Sequence, residues 1–323
     1  MKAAFARRYG PPDVLTLEDV EKPSPAEDQV LIRVHAASLN PRDYHVFAGL
    51  YLMRAFFGMR APKEPRLGAD LAGVVEAVGK NVTAFKSGDK VFGTAAGALA
   101  EYVCASETKV ALMPANASFE QAAAVPIAGL TALQGLRDKG AVKAGMKVLI
   151  TGASGGVGTF AVQIAKAFNA NVTGVCSTSK LNLVRSLGAD QVIDYTRDDF
   201  SRRGQQYDLI FDCVGNRSIS DCRRALTPNG MYLGVGVRQG GRLIGPLPRL
   251  IKVMVASRVG SPKVAIFMAS VKQADLSALA EMIASRKITP VVDRCFPFVS
   301  TAEAFAYLHD GHPGGKVVVT LPS

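Results

Sequence analysis

Short apolar, β-prone runs fill the first third of the chain. MKAAFARR (1–8), QVLIRVHAASL (29–39), AGVVEAVG (72–79), DKVFGTA (89–95) and LAEYVCAS (99–106) read as strands. Turn-forming stretches separate them: PSPAED (23–28), NPRD (40–43) and KNVTAFKSG (80–88). Strands in such close succession predict a compact, barrel-like domain. Residues 50–66 interrupt the pattern with an insertion that is apolar and basic together.

The period changes near residue 118. SFEQAAAVPIAGLTALQGLRD (118–138) is helical, with Ser118 and Gln121 in the positions of a capping box and Pro126 dividing the run in two. Strands and helices then alternate. MKVLIT (146–151), NVTGVC (171–176), QVID (191–194), YDLIFD (207–212), MYLGVGV (231–237) and KVAIFMAS (263–270) read as strands. VGTFAVQIAKAF (157–168) and SKLNLVRSLG (179–188) read as the helices between the first of them. This alternation predicts a parallel, doubly wound sheet. The last stretch offers a helix (275–287), a strand (288–298), a helix (301–311) and a final strand (316–321).

With 323 residues, 48% of them hydrophobic, the chain suits two domains with large cores. The net charge of +11 is spread along the sequence without a long Lys/Arg run, which favours an anionic small ligand over nucleic acid. Five cysteines at 104, 176, 213, 222 and 295 have no CxxC or zinc-finger spacing, so reduced thiols in a cytoplasmic protein are expected. The start MKAAFARRYG lacks the apolar segment of a secretory signal. The uncharged run 148–165 holds a glycine-rich turn and fits strand–turn–helix better than a membrane span.

That run is also the most informative for function. In LITGASGGVG, Ala153, Gly155 and Gly158 occupy the three small-residue positions of the GxGxxG fingerprint, between a strand and a helix. Small residues permit a tight turn and a close approach of backbone to a pyrophosphate, and the helix N-terminus supplies N–H groups and a favourable dipole. The backbones of Ser154, Gly155, Gly156, Val157 and Gly158 are the expected dinucleotide cradle. An NAD site places an acidic residue at the end of the second strand, for the ribose hydroxyls. Here NVTGVC is followed by Ser177, Thr178, Ser179 and Lys180, which suit a 2′-phosphate and hence NADPH. Ser177 as a helix cap and Lys180 as a solvated side chain are compatible with that role. The ends of later strands, Cys213–Gly215 with Val214 and Gly234–Gly236 with Val235 and Gly236, are expected to border the ribose and nicotinamide.

Several ordered segments resemble one family: SLNPRDYHVFAGLY, LGADLAGVVEAVG, KSGDKVFG, AAAVPIAGLTALQGL, GASGGVG, SLGADQVIDY and GHPGGKVVV. Together they resemble the medium-chain dehydrogenase/reductase superfamily, in its zinc-less quinone oxidoreductase branch. Within it, chloroplast-envelope quinone oxidoreductase homologues and reticulon-interacting mitochondrial proteins look most similar. The resemblance implies a GroES-like β-barrel-type catalytic domain over 1–122, an NADP-binding Rossmann domain over 123–270, and a return segment over 271–323 completing the first. It implies NADPH-dependent reduction of quinones or of the C=C bond of α,β-unsaturated carbonyls. An enoyl-thioester reductase, or a non-catalytic NADPH- or RNA-binding protein of the same fold, is the alternative. A homodimer is implied, with KVAIFMAS pairing across the interface.

The family's zinc enzymes carry a Cys ligand in the loop that corresponds to SLNPRDYH, where this chain has Asn40. Their GHE segment appears here as Gly68, Ala69 and Asp70, and only Ala95, Ala96, Gly97 and Ala98 stand where a structural zinc lobe would lie. No metal site is therefore expected, and His35 and His45 are read as structural or exposed. Without a Lewis acid, conjugate reduction asks less of the protein, because a few hydrogen-bond donors suffice for the enolate. Asn40 is the first candidate to touch substrate or nicotinamide, or else a turn residue before Pro41. Tyr51 matches a tyrosine near the family's substrate cleft, or else is an ordinary packing residue, and Tyr44 is a further, weaker candidate. Asp43 is read as a brace for the loop. Thr131 resembles a residue close to the nicotinamide or its phosphate; Tyr195 is read as flanking the adenosine end, and Lys316 as a cleft residue or a solvated edge lysine. The basic, apolar segments 50–66 and 238–263 are candidates for a substrate lid (the first reading for 50–66), a subunit contact or a peripheral membrane patch.

Overall fold

The computed structural model describes residues 1–49, 54, 58–236 and 262–322. The chain opens with β1 (Lys2–Ala6), β2 (Leu15–Asp19) and β3 (Gln29–Ser38), then helix α1 (Pro41–Ala48). β4 (Asp70–Val78), β5 (Lys90–Thr94), β6 (Tyr102–Ser106), β7 (Val110–Leu112) and the short helix α2 (Phe119–Ala123) follow. Helix α3 (Pro126–Gln134) leads to β8 (Lys147–Thr151), α4 (Gly156–Ala167), β9 (Asn171–Cys176), α5 (Leu181–Ser186) and β10 (Gln191–Asp194). Next come β11 (Tyr207–Asp212), α6 (Ile219–Arg224), β12 (Leu226–Gly234) and β13 (Lys263–Ile266). The chain closes with α7 (Gln273–Ala284), β14 (Val292–Pro297), α8 (Thr301–Asp310) and β15 (Lys316–Thr320).

Two compact units emerge: 1–127 with 271–286 and 290–323, and 128–270 with 287–289. The first runs on to Ile127, whose backbone N–H donates to Asp70. It holds a seven-stranded sheet in the order β14-β15-β3-β4-β5-β7, with β6 also paired to β3, and a separate β1-β2 pair. Its alternating strands turn Val30, Ile32, Val34, Leu71, Val75, Val91, Val317 and Val319 into one core, with Phe47 and Phe305 among them. The second unit is a six-stranded sheet, β10-β9-β8-β11-β12-β13, parallel at every pairing. Its order reverses between β8 and β11, the switch point at which doubly wound sheets bind their ligands.

One expectation is corrected here. The NPRDYH stretch is not a loop: α1 covers Pro41–Ala48, with Pro41 in the first turn and Asn40 at the N-cap. Proline suits that position because its missing N–H would find no partner inside the helix anyway. The polar surface of α1 conceals a buried residue, Phe47, that meets Phe305 edge-on with ring centroids 5.0 Å apart. Pro126 does divide the helical run, and α2 begins with the Ser118–Gln121 capping box. No helix among the described residues is long and apolar enough to cross a membrane. The five cysteines are free.

Candidate functional site

The parallel unit gathers its candidate residues at the carboxyl ends of the strands. The turn after β8 reverses at Gly152, whose φ of +63° lies in the left-handed region. The tight turn thus belongs to Gly152, and Ala153, at the fingerprint's first small position, has an ordinary backbone. Its N–H donates to Val175 O at 3.0 Å, tying the turn to β9. Gly158 is required by close packing, since a Cβ there would lie 2.1 Å from Gly152 O. Gly155 behaves differently. A Cβ on it would meet nothing nearer than Gly152 O at 3.4 Å, so the backbone faces open space. The first turn of the twelve-residue α4 opens beside that space, with amides that have no partner inside the helix. An anion is the natural occupant, and the cradle fits the pyrophosphate of a dinucleotide.

On the far side of the switch point, Asp212 ends β11 and is 1% exposed. Its Oδ1 accepts from Thr151 Oγ1 and from the backbone N–H groups of Val214 (3.0 Å) and Gly215 (2.8 Å). Its Oδ2 accepts from Tyr232 Oη at 2.7 Å. One carboxylate thus fastens the ends of β8, β11 and β12 and shapes the 213–215 turn. Val235 N and Gly236 N donate to the Asp212 carbonyl, so the second predicted strand end is held by the same residue.

The second strand ends as the sequence indicates, in a short 3-10 turn, Thr178–Lys180, preceded by Ser177. Ser177 occupies the cap position without a side-chain cap bond, and its Oγ lies 3.3 Å from Ser179 Oγ. Tyr195, at the end of β10, is 50% exposed. Thr131 is half-buried on α3. An acidic residue does reach this level, from the third strand and not the second: Asp194 pairs in register with Cys176. It is invisible to a rule that looks only after NVTGVC. Its signal is the final letter of QVID, once the two strands are laid parallel.

The barrel unit holds a different kind of site. Asp70, fully buried at the start of β4, accepts from Ile127 N on one oxygen. Its other oxygen accepts from Ser38 Oγ at 3.1 Å, Asn40 Nδ2 at 3.0 Å and Lys316 Nζ at 3.4 Å. Lys316 is 4% exposed, and its ammonium also donates to Asn40 Oδ1 at 2.6 Å and Leu39 O at 2.9 Å. An ammonium has three hydrogens and each finds an acceptor. Asn40 is therefore oriented from both ends of its amide. Asp43 stands one turn on and accepts from Asn40 N at 3.0 Å, bracing the start of α1. Burial, with the Asp70 charge adding to it, pushes the Asp43 carboxyl up to about 6.

Lys316 is thus a buried member of the Asn40 cluster and not a solvated edge lysine. Tyr44 joins the aromatic packing of its unit, stacked on His309 at 4.3 Å and edge-on to Phe47. His35 stacks on Phe119 at 4.3 Å, and burial holds its pKa below the usual histidine range. Tyr51 lies outside the described residues, as do most of 50–57 and nearly all of 238–263.

A phosphate-cradling parallel sheet joined in one chain to a strand-rich barrel unit defines a nucleotide-dependent oxidoreductase architecture. Comparison with known proteins agrees. Residues 26–115 match the alcohol dehydrogenase GroES-like domain family, and residues 187–319 match the zinc-binding dehydrogenase family. An Arabidopsis thaliana relative, NADPH-dependent alkenal/one oxidoreductase, is 37% identical over 99% of this chain and 79% of its own. Two solved structures share the fold. The quinone oxidoreductase of Coxiella burnetii has a TM-score of 0.86 at 31% identity, covering 100% of this chain and 99% of that one. Escherichia coli quinone oxidoreductase complexed with NADPH has a TM-score of 0.83 at 27% identity, covering 99% and 100%. The chain belongs to the medium-chain dehydrogenase/reductase superfamily, in its quinone oxidoreductase branch.

One of the two matching families carries zinc in its description, and the residues present do not fit that metal. Zinc takes three or four N, S or O ligands from the protein. Among the described residues, no three His, Cys, Asp or Glu side chains are grouped to hold one. At Asn40 and Asp70, the two positions that the family resemblance compares with ligand segments, the polar atoms are engaged by a lysine ammonium.

Proposed function

We propose that this chain is an NADPH-dependent, zinc-independent reductase that acts on quinones or on the C=C bond of α,β-unsaturated carbonyls. The observation that carries the reading is the Asn40–Asp70–Lys316 cluster, which places a fixed cation and an oriented amide where a metal would need free ligands. NADPH, when bound, supplies a hydride for the electron-poor carbon of the acceptor. The rest falls to the chain. The open backbone at Gly155 and the first turn of α4 bind the pyrophosphate. The Ser177–Lys180 turn, with hydroxyls and a cation, takes the 2′-phosphate. Asp212 holds the 213–215 and 235–236 backbones in place for the ribose and nicotinamide. Asn40 is the candidate donor to the carbonyl oxygen. Lys316 and Asp70 fix its amide, and one of its two N–H hydrogens remains beyond the bond to Asp70. Such preorganised donors lower the barrier because they need no reorientation as charge develops on the oxygen.

The relatives support the reading, through a name that specifies NADPH and alkenals and a structure holding NADPH. We also propose a homodimer. Among the described residues β13 pairs with β12 alone, and its other edge is the one we assign to a second copy. The test of substrate class is NADPH oxidation followed at 340 nm with a quinone, a short enone, a long-chain enone and a simple aldehyde. Turnover of quinone or enone without aldehyde is the expected result. Turnover of the aldehyde alone would overturn the proposed reaction.

A further inference from the structure

We propose that Asp194 is a positioning residue that sets the preference for a 2′-phosphorylated cofactor, by fastening the turn after β9 from the neighbouring strand. The inference rests on the NADPH reading above and assigns a cause to it.

Asp194 presents a contradiction. A carboxylate at the end of β9 would favour the ribose diol of NADH and repel a phosphate. Asp194 stands at that level, because the last residues of β9 and β10 are in register. Its side chain is 10% exposed, and both of its oxygens already accept hydrogen bonds. Oδ2 accepts from Thr178 Oγ1, and Oδ1 accepts from Thr196 N at 3.0 Å and Thr196 Oγ1 at 2.7 Å. The Thr178 and Thr196 hydroxyls lie 3.1 Å apart, and Arg197 Nε approaches Oδ2 at 3.8 Å. Hydrogen bonding from Thr178, and then from Thr196, holds the carboxyl below the usual aspartate range, so it is ionised at neutral pH.

The consequence falls on the turn. Thr178 is its first residue, and the turn closes with Lys180 N donating to Ser177 O at 3.0 Å. With the Thr178 hydroxyl committed to Asp194, the hydroxyls of Ser177 and Ser179, 3.3 Å apart, are the pair offered to an incoming phosphate. Asp194 also governs the next residues. Tyr195 N donates to Cys176 O at 3.1 Å while Thr196 folds back onto the carboxylate, and this sets where the exposed Tyr195 ring stands. A buttress from the third strand thus does for the phosphate what an acid on the second strand does for the diol.

The test is calorimetric binding of 2′,5′-ADP and 5′-AMP to the full chain and to its Asp194→Asn and Thr178→Val variants, with KM for NADPH and NADH in parallel. The pair of ligands differs only by the phosphate in question. In the unaltered chain, tighter binding of 2′,5′-ADP is expected. Each variant is expected to weaken 2′,5′-ADP at least fivefold and to leave 5′-AMP within twofold, with KM for NADPH rising alone. Equal weakening of both ligands would make Asp194 a general support and overturn the proposal. Unchanged or tighter 2′,5′-ADP binding in Asp194→Asn would overturn it as well, the latter by showing that the carboxylate opposes the phosphate. If the unaltered chain does not prefer 2′,5′-ADP, the NADPH reading fails first and the proposal with it.

Discussion

The two polar sites are built on opposite principles. The barrel unit brings an asparagine, an aspartate and a lysine from three distant segments into a buried cluster, in which the charged groups meet one another, the Asn40 amide, the Ser38 hydroxyl and the backbone. The parallel unit presents mostly backbone and small side chains, in turns that follow directly from consecutive strands. The first site depends on tertiary assembly and is intolerant of losing a partner. The second depends on local geometry and tolerates variation wherever the backbone is left unchanged. Ala153 is such a variation, since the left-handed residue is Gly152 beside it.

Breaking the barrel cluster should have the largest effect. Lys316→Met leaves Asp70 buried without its cation, and removing one partner of a buried pair costs about 3–5 kcal/mol. Urea unfolding should show a loss of that size, and a loss below about 1 kcal/mol would mean the pair is solvated. In the parallel unit, Gly158→Ala forces a Cβ against the Gly152 carbonyl and displaces α4 from the turn. Cofactor affinity, measured by quenching or calorimetry, should fall by about tenfold or more, equivalent to about 1.4 kcal/mol. Tyr232→Phe removes one donor to the buried Asp212 carboxylate. A hydrogen bond to a charged group contributes about 1.5–3 kcal/mol, but three donors to Asp212 remain, so a thermal-stability loss near the lower figure is expected.

The smallest effect concerns pH. Asp43 has a folded pKa of about 6, above the roughly 3.9 of an unfolded chain. Between those values the folded protein keeps a proton that the unfolded chain has lost. The group's contribution is therefore most favourable below about pH 4 and declines as pH rises towards 6. Asp43→Asn keeps an oxygen for the Asn40 N–H and should flatten that part of the profile. An unchanged slope between about pH 4 and 6 in urea titrations would show that Asp43 ionises normally.

The same contrast decides what was legible in the sequence. The parallel sheet could be read because each strand and its turn are contiguous, from MKVLIT and its glycines to YDLIFD. Helix α1 was concealed by the polar run NPRDYH, since its burial rests on a single phenylalanine reaching Phe305, over 250 residues away in sequence. Asn40 and Lys316 were each singled out, but nothing local says that they touch. Lysine at the start of KVVVTL looks exposed until β15 is placed beside β3. Asp194 escaped for a related reason: its partner turn belongs to another strand, and only the parallel register joins them.

The central claim is that the lysine ammonium makes a metal unnecessary at the Asn40 cluster. The most direct test is turnover of a quinone or enone with NADPH by enzyme treated with a strong chelator, with metal content measured on the same sample. Undiminished turnover at a zinc content far below one per chain is the predicted result. Activity that disappears with the metal and returns on adding zinc would contradict the account.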